Sequence, residues 1–211
     1  MTARTLTARR RPAGRARPQQ ARRRAAALIV AAALLGVGAA LLAPLIQHAV
    51  REARLPLRHE DIIRQQARQK RLDPALIAGV IYAESKFRAR TSQTGATGLM
   101  QIQPDTARFI ARRSGATRFE VRDLATPQIN IAYGAYYLRY LIDHYGGSET
   151  LAIAAYNAGQ TNVDHWVQDA GGPEAFDSAR HIRFPETRAY VANVQERRRQ
   201  YREHYGRELG L

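Results

Sequence analysis

One stretch near the N-terminus constrains the fold more than any other part of the chain. The 22 residues from Ala25 to Ile46 carry no charged side chain and read AAALIVAAALLGVGAALLAPLI. A helix of that length spans about 33 Å, which is enough to cross the hydrocarbon core of a bilayer. Buried core helices rarely stay uncharged for so long. We therefore predict a transmembrane anchor over residues 25–46.

A cleavable signal peptide is the alternative for the same stretch. Its apolar region is normally shorter, and its cleavage site resembles A-x-A. Here the run is long, and only a weak site near Ala40 is present. The sequence favours an uncleaved anchor and leaves the signal peptide open.

The positive charge is concentrated before this run. The chain has 33 Lys and Arg against 18 Asp and Glu, a net charge of +15, and residues 1–24 hold nine Arg and no acid. Such a tail could bind nucleic acid, but Arg22, Arg23 and Arg24 adjoin the apolar run, which is the positive-inside signal. We predict a cytoplasmic tail with no nucleic-acid partner. The chain would cross the inner membrane once, with everything after about residue 47 on the periplasmic or extracytoplasmic side.

The rest of the chain divides into a linker and one domain. Residues 47–56 are predicted to be a linker ending at Pro56, and residues 57–211 have the size of a single domain with its own core. Hydrophobic residues recur with helical spacing throughout this domain, and no run alternates with period two for long enough to be a strand. The sequence predicts an all-α domain, with helices over residues 57–72, 74–83, 104–115, 127–145, 149–157, 161–169 and 186–205, and with loops at 86–97 and 171–185.

Several classes of site are excluded by what the chain lacks. It contains no Cys, which excludes a disulfide scaffold, a thiol nucleophile and a Cys-based zinc site. His59-Glu60 resembles the start of a zinc-protease motif but has no second His at the required spacing, and no phosphate- or dinucleotide-binding glycine motif is present. We expect neither a metal nor an organic cofactor. The tyrosines between Tyr133 and Tyr145 fit core packing better than a sugar-binding platform.

Glu84 is the strongest candidate for chemistry. It is the first charge after ten uncharged residues, Pro74 to Ala83, which follow an Asp73-Pro74 helix start. Apolar surroundings and the negative end of the helix both disfavour an ionised carboxylate there. The sequence predicts a raised pKa, as a general acid working near neutral pH needs.

Four motifs around and after Glu84 carry a family resemblance. They read ESKFRARTSQTGATGLMQIQPDTA, DLATPQINIAYGAYYLRYLI, AAYNAGQTNV and RFPETRAYVANV. Residues 60–200 resemble the transglycosylase SLT domain, the soluble-lytic-transglycosylase-like branch of glycoside hydrolase family 23, which is related to goose-type lysozyme. The resemblance implies a lysozyme-like helical fold with a catalytic cleft.

The resemblance also implies an activity and a set of residues. The substrate would be the glycan strand of peptidoglycan, cut at the β-1,4 bond between N-acetylmuramic acid and N-acetylglucosamine with formation of 1,6-anhydro-muramic acid ends. Glu84 would be the single catalytic acid and base, and no cofactor is implied. The family's substrate-contacting positions match Ser92, Met100, Gln101, Tyr156, Asn157, Glu186 and Tyr190. Gln103 departs from the family, since many relatives have an apolar residue there.

Other interpretations remain open from the residues alone. Met100 fits a core position as well as a cleft position, and Asn157 fits a helix end. Tyr156 and Tyr190 fit ordinary half-buried tyrosines. A muramidase of the same fold that uses water, or a non-catalytic protein that binds or assembles the wall, would carry similar motifs. The sequence indicates no particular protein partner.

Overall fold

The computed structural model describes residues 18–211, apart from the side chains of residues 18–21, 48 and 51. Contacts within the chain divide it into two units, Met1–Val50 and Arg51–Leu211. Most of the predicted basic tail, residues 1–17, lies outside the described residues.

A single long helix, α1 (Pro18–Arg54), accounts for the described part of the first unit. Its segment Arg22–Arg54 is 33 residues long, with a mean hydropathy of 2.5 in an 18-residue window of which nothing is buried. By length and composition this helix is able to cross a membrane. Large apolar side chains are exposed along it, among them Leu28, Leu35 and Leu41.

The expected linker is not a separate coil. Residues 47–54 continue α1, because no Gly or Pro interrupts the chain between Pro44 and Pro56 and the intervening residues include good helix formers. Pro56 is the first residue able to stop the helix.

The second unit is an all-helical domain, as predicted. Its helices are α2 (Glu60–Lys70), α3 (Pro74–Ser85), α4 (Pro104–Ser114), α5 (Pro127–His144), α6 (Glu149–Ala158), α7 (Gln160–Asp169), α8 (Ser178–His181) and α9 (Pro185–Leu209). Short 3-10 helices cover Val121–Ala125 and Pro173–Ala175.

Two details differ from the sequence predictions. The loop after α3 contains a small antiparallel hairpin, β1 (Arg90–Thr91) with β2 (Thr97–Gly98). Each strand is two residues long, too short to show an alternating pattern. The predicted loop at 171–185 contains α8, a single turn that begins where the Asp177 side chain accepts a hydrogen bond from the Ala179 amide.

Helix α3 forms the centre of the core and packs against α9. Its residues from Ala75 to Ile81 are all buried. The two helices approach so closely at Gly79 that a Cβ there would lie 2.9 Å from the Val194 carbonyl oxygen. The Asp73 carboxylate caps α3 by accepting from the Ala75 amide at 2.9 Å, and it also bonds Arg198 of α9. These contacts fix α3 beside α9 at its N-cap and at its middle.

Candidate active site

Glu84 lies at the C-terminal end of the buried helix α3. The helix ends at Ser85, and the next two residues, Lys86 and Phe87, have left-handed backbone angles with φ of 51° and 60°. This reversal places the Phe87 side chain in the core. Ser85 is also buried, and its hydroxyl donates to the Ile81 carbonyl at 3.1 Å, so that Ser85 is structural while the Glu84 side chain stays half-buried.

Glu84 has hydrogen-bond partners on α9 and on the hairpin. The Tyr190 hydroxyl donates to its carboxyl Oε1 at 2.6 Å, and the Arg90 guanidinium donates to its main-chain carbonyl at 3.2 Å. Burial raises the pKa of Glu84 to about 7, although the Tyr190 hydrogen bond and the Arg90 charge both act to lower it. A carboxyl group with that pKa is able to donate and to accept a proton near neutral pH.

Tyr156 completes the cluster around Glu84. Its hydroxyl donates to the Met100 carbonyl at 3.0 Å. Burial, and next the negative charge of Glu84, raise the pKa values of Tyr156 and Tyr190 well above the ordinary tyrosine value. Both phenols therefore stay neutral at physiological pH and act as hydrogen-bond donors.

The start of α9 joins the end of α6 near the same place. The Thr187 hydroxyl, which is 1% exposed, donates to Asn157 Oδ1 at 2.7 Å. Asn157 itself is exposed, as is Glu186. Glu186 precedes Tyr190 by four residues on α9, so the two side chains lie on the same face of the helix. The arrangement brings Asn157 and Glu186 to the surface beside the Glu84 cluster.

The hairpin carries the two remaining polar candidates. Ser92 follows β1, and its amide donates to the Ala96 carbonyl at 2.8 Å. Gln101 has a positive φ of 47°, and its Nε2 donates to the carbonyls of Arg90 and Gly98 at 2.8 and 2.7 Å. Both amide hydrogens of Gln101 are thereby used within the hairpin, which leaves its amide oxygen to accept from a ligand.

Met100 occupies a core position in this structure. It is 0% exposed, and its thioether fills the space above Gly134, where a Cβ would lie 2.3 Å from the Met100 sulfur. This burial favours the core position that the sequence left open, and a substrate contact of the Met100 side chain stays a prediction. Met100 contributes to the Glu84 cluster through its main-chain carbonyl, which accepts the hydrogen bond from Tyr156.

Asn130 of α5 is the important residue that the sequence analysis missed. It is fully buried, accepts from the Met100 amide at 2.8 Å, and donates to the carbonyls of Thr97 and Leu124 at 2.8 and 3.0 Å. Gly98, with φ of 86°, makes room for it, since a Cβ there would lie 2.0 Å from the Asn130 amide nitrogen. A polar residue between Ile129 and Ile131 on a helix that is otherwise largely apolar was the available signal.

The tyrosines between Tyr133 and Tyr145 divide between the core and an open pocket. Tyr145 is buried. Tyr137 and Tyr140 are stacked with their ring centroids 6.1 Å apart, and Tyr137 lies 5.5 Å from Tyr156. The same two rings line a pocket of about 230 Å³, together with Asp105, Thr106, Phe109 and Gln160. The aromatic surface thus continues from the Glu84 cluster into an open pocket.

Hydrogen bonds connect the four motifs to one another in a continuous series. Glu84 bonds α9 through Tyr190, Thr187 of α9 bonds α6 through Asn157, and Tyr156 of α6 bonds the Met100 carbonyl. The Met100 amide in turn bonds α5 through Asn130. Among the side chains that the structure describes, no three His, Asp or Glu lie close enough together to hold a metal ion. The arrangement offers one proton-transferring carboxyl group in a ring of polar side chains.

Comparisons with known proteins agree with this geometry. Residues 61–178 match the family described as the Transglycosylase SLT domain. The chain is 33% identical over 180 residues to a soluble lytic murein transglycosylase of Salmonella typhimurium, covering 84% of this chain and 28% of that protein. It is also 33% identical over 135 residues to the membrane-bound lytic murein transglycosylase F of Pseudomonas fluorescens, covering 61% of this chain and 25% of that one.

A solved structure shares the fold. An inactive glutamate-to-glutamine mutant of the lytic transglycosylase Slt from Pseudomonas aeruginosa superimposes with a TM-score of 0.66 at 33% identity, covering 72% of this chain and 25% of that one. The chain thus spans about a quarter of the length of these relatives. The family match covers more than half of the chain and includes the Glu84, Ser92 and Tyr156 motifs. This chain therefore belongs to the transglycosylase SLT domain family and has its lysozyme-like fold.

Proposed function

We propose that the chain is a membrane-anchored lytic transglycosylase that cleaves the β-1,4 bond between N-acetylmuramic acid and N-acetylglucosamine in peptidoglycan, leaving 1,6-anhydro-muramic acid ends. The observation that carries the proposal is the environment of Glu84. Its carboxyl group has a pKa of about 7 and is held by Tyr190 at 2.6 Å. The names of the Salmonella and Pseudomonas relatives support the substrate class.

The number of carboxylates supports a non-hydrolytic route. Glycosidases usually use two, one of which activates water or attacks the sugar. Glu186, the other carboxylate that the family motifs place near Glu84, is exposed at the start of α9, and it is not among the groups that shift the Glu84 pKa. With a single carboxyl group at the bond, the substrate itself has to supply the nucleophile, as in substrate-assisted glycosidases.

Each proton in this route is transferred by Glu84. The protonated carboxyl group donates to the glycosidic oxygen, and the bond from that oxygen to C1 of the muramic acid breaks. The N-acetyl carbonyl stabilises the positive charge at C1, with Ser92 as its proposed hydrogen-bond partner. The C6 hydroxyl then attacks C1 while the Glu84 carboxylate takes its proton. Glu84 returns to the protonated state, and no water is consumed.

Purified peptidoglycan sacculi test this proposal. The full chain should release soluble glycan fragments whose muramic acid ends resist reduction by borohydride. Release of reducible ends would identify a muramidase instead. Tight binding to sacculi without release of fragments would identify a wall-binding protein.

The Tyr190 hydrogen bond gives a pH prediction. Glu84 must be protonated to act first, so kcat/KM should fall as the pH rises through about 7. Tyr190 donates to the ionised carboxylate and stabilises it, which lowers the pKa of Glu84. Tyr190→Phe should therefore move this alkaline decline to higher pH while it reduces the maximal rate. The pH profiles of the two proteins, measured on the same soluble glycan, check this.

Arg90→Gln provides a matched comparison for the pH experiment. It removes a positive charge that also lowers the Glu84 pKa, without touching the Glu84 carboxyl oxygens. Its alkaline decline should move in the same direction. A decline that moves to lower pH in either variant would contradict the assignment of Glu84 as the acid.

The anchoring of the domain is the second part of the proposal. Helix α1 is long, apolar and exposed, and the relative from Pseudomonas fluorescens is named as membrane-bound. We expect residues 1–24 to lie in the cytoplasm, residues 25–46 to cross the inner membrane once, and the catalytic domain to lie on the periplasmic side. A periplasm-dependent reporter fused after Leu211 should be active, and one that works only in the cytoplasm should not. A mature protein that begins near Leu41 would show that the segment is a cleaved signal peptide.

A further inference from the structure

A short series of hydrogen bonds runs through the loop beside Glu84. The Gln103 side-chain nitrogen donates to Thr94 Oγ1 at 3.2 Å. Thr94 Oγ1 and Ser92 Oγ are 2.9 Å apart, and the Ala96 amide donates to Ser92 Oγ at 3.0 Å. Gln103, Thr94 and Ser92 are thereby joined in one series of hydrogen bonds in the loop that follows Glu84.

The direction of the bond between the two hydroxyls follows from their neighbours. A hydroxyl group has one hydrogen to donate and two lone pairs to accept with. Thr94 accepts from the Gln103 amide, which polarises the Thr94 hydroxyl and makes it a better donor. The cooperative arrangement therefore runs from Gln103 to Thr94 and from Thr94 to Ser92.

That direction fixes what Ser92 is able to do. Ser92 Oγ then accepts from both the Thr94 hydroxyl and the Ala96 amide, which uses its two lone pairs. Its single hydrogen remains, so Ser92 is available to a ligand only as a donor. In the reverse direction the hydrogen would be used on Thr94, and Ser92 would offer a ligand no donor.

We infer that Gln103 is a positioning residue that acts through Thr94 to present the Ser92 hydroxyl as a donor, and thereby selects sugars with an N-acetyl group. The inference rests on the proposed function, because it assigns Ser92 to the N-acetyl carbonyl. An acetamido carbonyl accepts the hydrogen. The ammonium group of a de-N-acetylated sugar has no lone pair and does not accept it.

A binding experiment tests this without bond cleavage. The full chain carrying Glu84→Gln is titrated in detergent with two probes, the β-1,4-linked N-acetylglucosamine tetramer and the corresponding glucosamine tetramer.

Five further substitutions are compared in this background. Gln103→Met removes the hydrogen-bond donor to Thr94, and Thr94→Val removes the hydroxyl with little change of shape. Gln103→Glu is nearly isosteric but replaces the donor with an acceptor, which should reverse both bonds. Gln93→Glu adds the same charge in the same loop and is the charge control, and Thr94→Ser should restore binding.

The expected results form one pattern. Gln103→Met and Thr94→Val should weaken binding of the acetylated tetramer about 2- to 10-fold, the range for a single hydrogen bond. Gln103→Glu should weaken it further than Gln103→Met, after correction for Gln93→Glu. None of the changes should affect the acetylated tetramer when Ser92→Ala is also present, and their effect on the glucosamine tetramer should be much smaller.

Three outcomes of the comparison between variants would overturn the inference. The first is a loss of affinity in Gln103→Met or Thr94→Val that adds to the loss in Ser92→Ala. The second is an equal loss of affinity for the two tetramers. The third is a loss of affinity in Gln103→Glu that is no larger than the loss in Gln103→Met. Failure of the Glu84→Gln chain to bind the acetylated tetramer would overturn it as well. The proposed function is tested separately. If the variants show the expected binding pattern but the wild-type chain releases no anhydro ends, the inference about Gln103 stands and the proposed activity is wrong.

Discussion

Glu84→Gln should abolish glycan cleavage while the fold is retained. Gln occupies nearly the same volume and still accepts the hydrogen bond that Tyr190 donates at 2.6 Å, but it cannot give and retake a proton. General acid–base catalysis contributes about 10²- to 10⁴-fold to rate. Because one group serves both steps here, we expect a loss at the upper end of that range or beyond. The rate of fragment release from sacculi measures it.

The same substitution should stabilise the protein at alkaline pH. The folded protein holds the Glu84 proton up to about pH 7, whereas the unfolded chain releases it near the ordinary glutamate pKa of 4.5. The wild type therefore loses stability as the pH rises through this window, and the loss is complete above it. At pH 8 the variant should be more stable by about 1 to 3 kcal/mol, and at pH 4 the two proteins should be equal. Lower stability of the variant at both pH values would show that Glu84 is structural.

Asn130→Leu should greatly reduce both stability and activity. The substitution leaves the Leu124 carbonyl and the Met100 amide without their partner, whereas the Thr97 carbonyl keeps its hydrogen bond from the Ile102 amide at 3.0 Å. Each unsatisfied buried group costs about 1 to 3 kcal/mol, so we expect a loss of about 2 to 6 kcal/mol in the free energy of unfolding. Thermal unfolding of the full chain measures it, with Asn162→Leu on the exposed side of α7 as the matched control.

The loss of activity has a separate cause. Asn130 holds the Met100 main chain, whose carbonyl receives the Tyr156 hydroxyl beside Glu84. A folded Asn130 variant should therefore bind and cleave the glycan poorly even at temperatures where it does not unfold. A variant with wild-type stability would show that the buried hydrogen bonds are not needed to hold the hairpin in place.

The longer helices were predictable because they have local signals. Asp73-Pro74 begins α3 and the uncharged residues after it bury that helix, while Gly115 and Gly159 end α4 and α6. The β hairpin lacks such a signal. Its strands are two residues long and depend on partners outside them, such as the Gln101 side chain.

The site was predictable only in part, because its contacts join distant segments. Burial at the end of α3 is visible in the sequence and explains the raised pKa of Glu84. Tyr190, however, is 106 residues away, and only the family resemblance placed it near the acid. Met100 and Asn130 are positions at which the sequence alone did not predict the environment of the side chain. Whether a residue faces the cleft or the core depends on how α5 packs against the hairpin, which no local pattern records.

The central claim is that the substrate's own C6 hydroxyl, and not water, attacks C1 after Glu84 protonates the bond. Digestion of purified sacculi in water enriched in heavy oxygen, followed by mass analysis of the muramic acid ends, tests this most directly. Our account predicts ends that are one water lighter than the hydrolysed sugar and carry no oxygen from the solvent. Ends that are heavier by one water and carry the solvent label would contradict it.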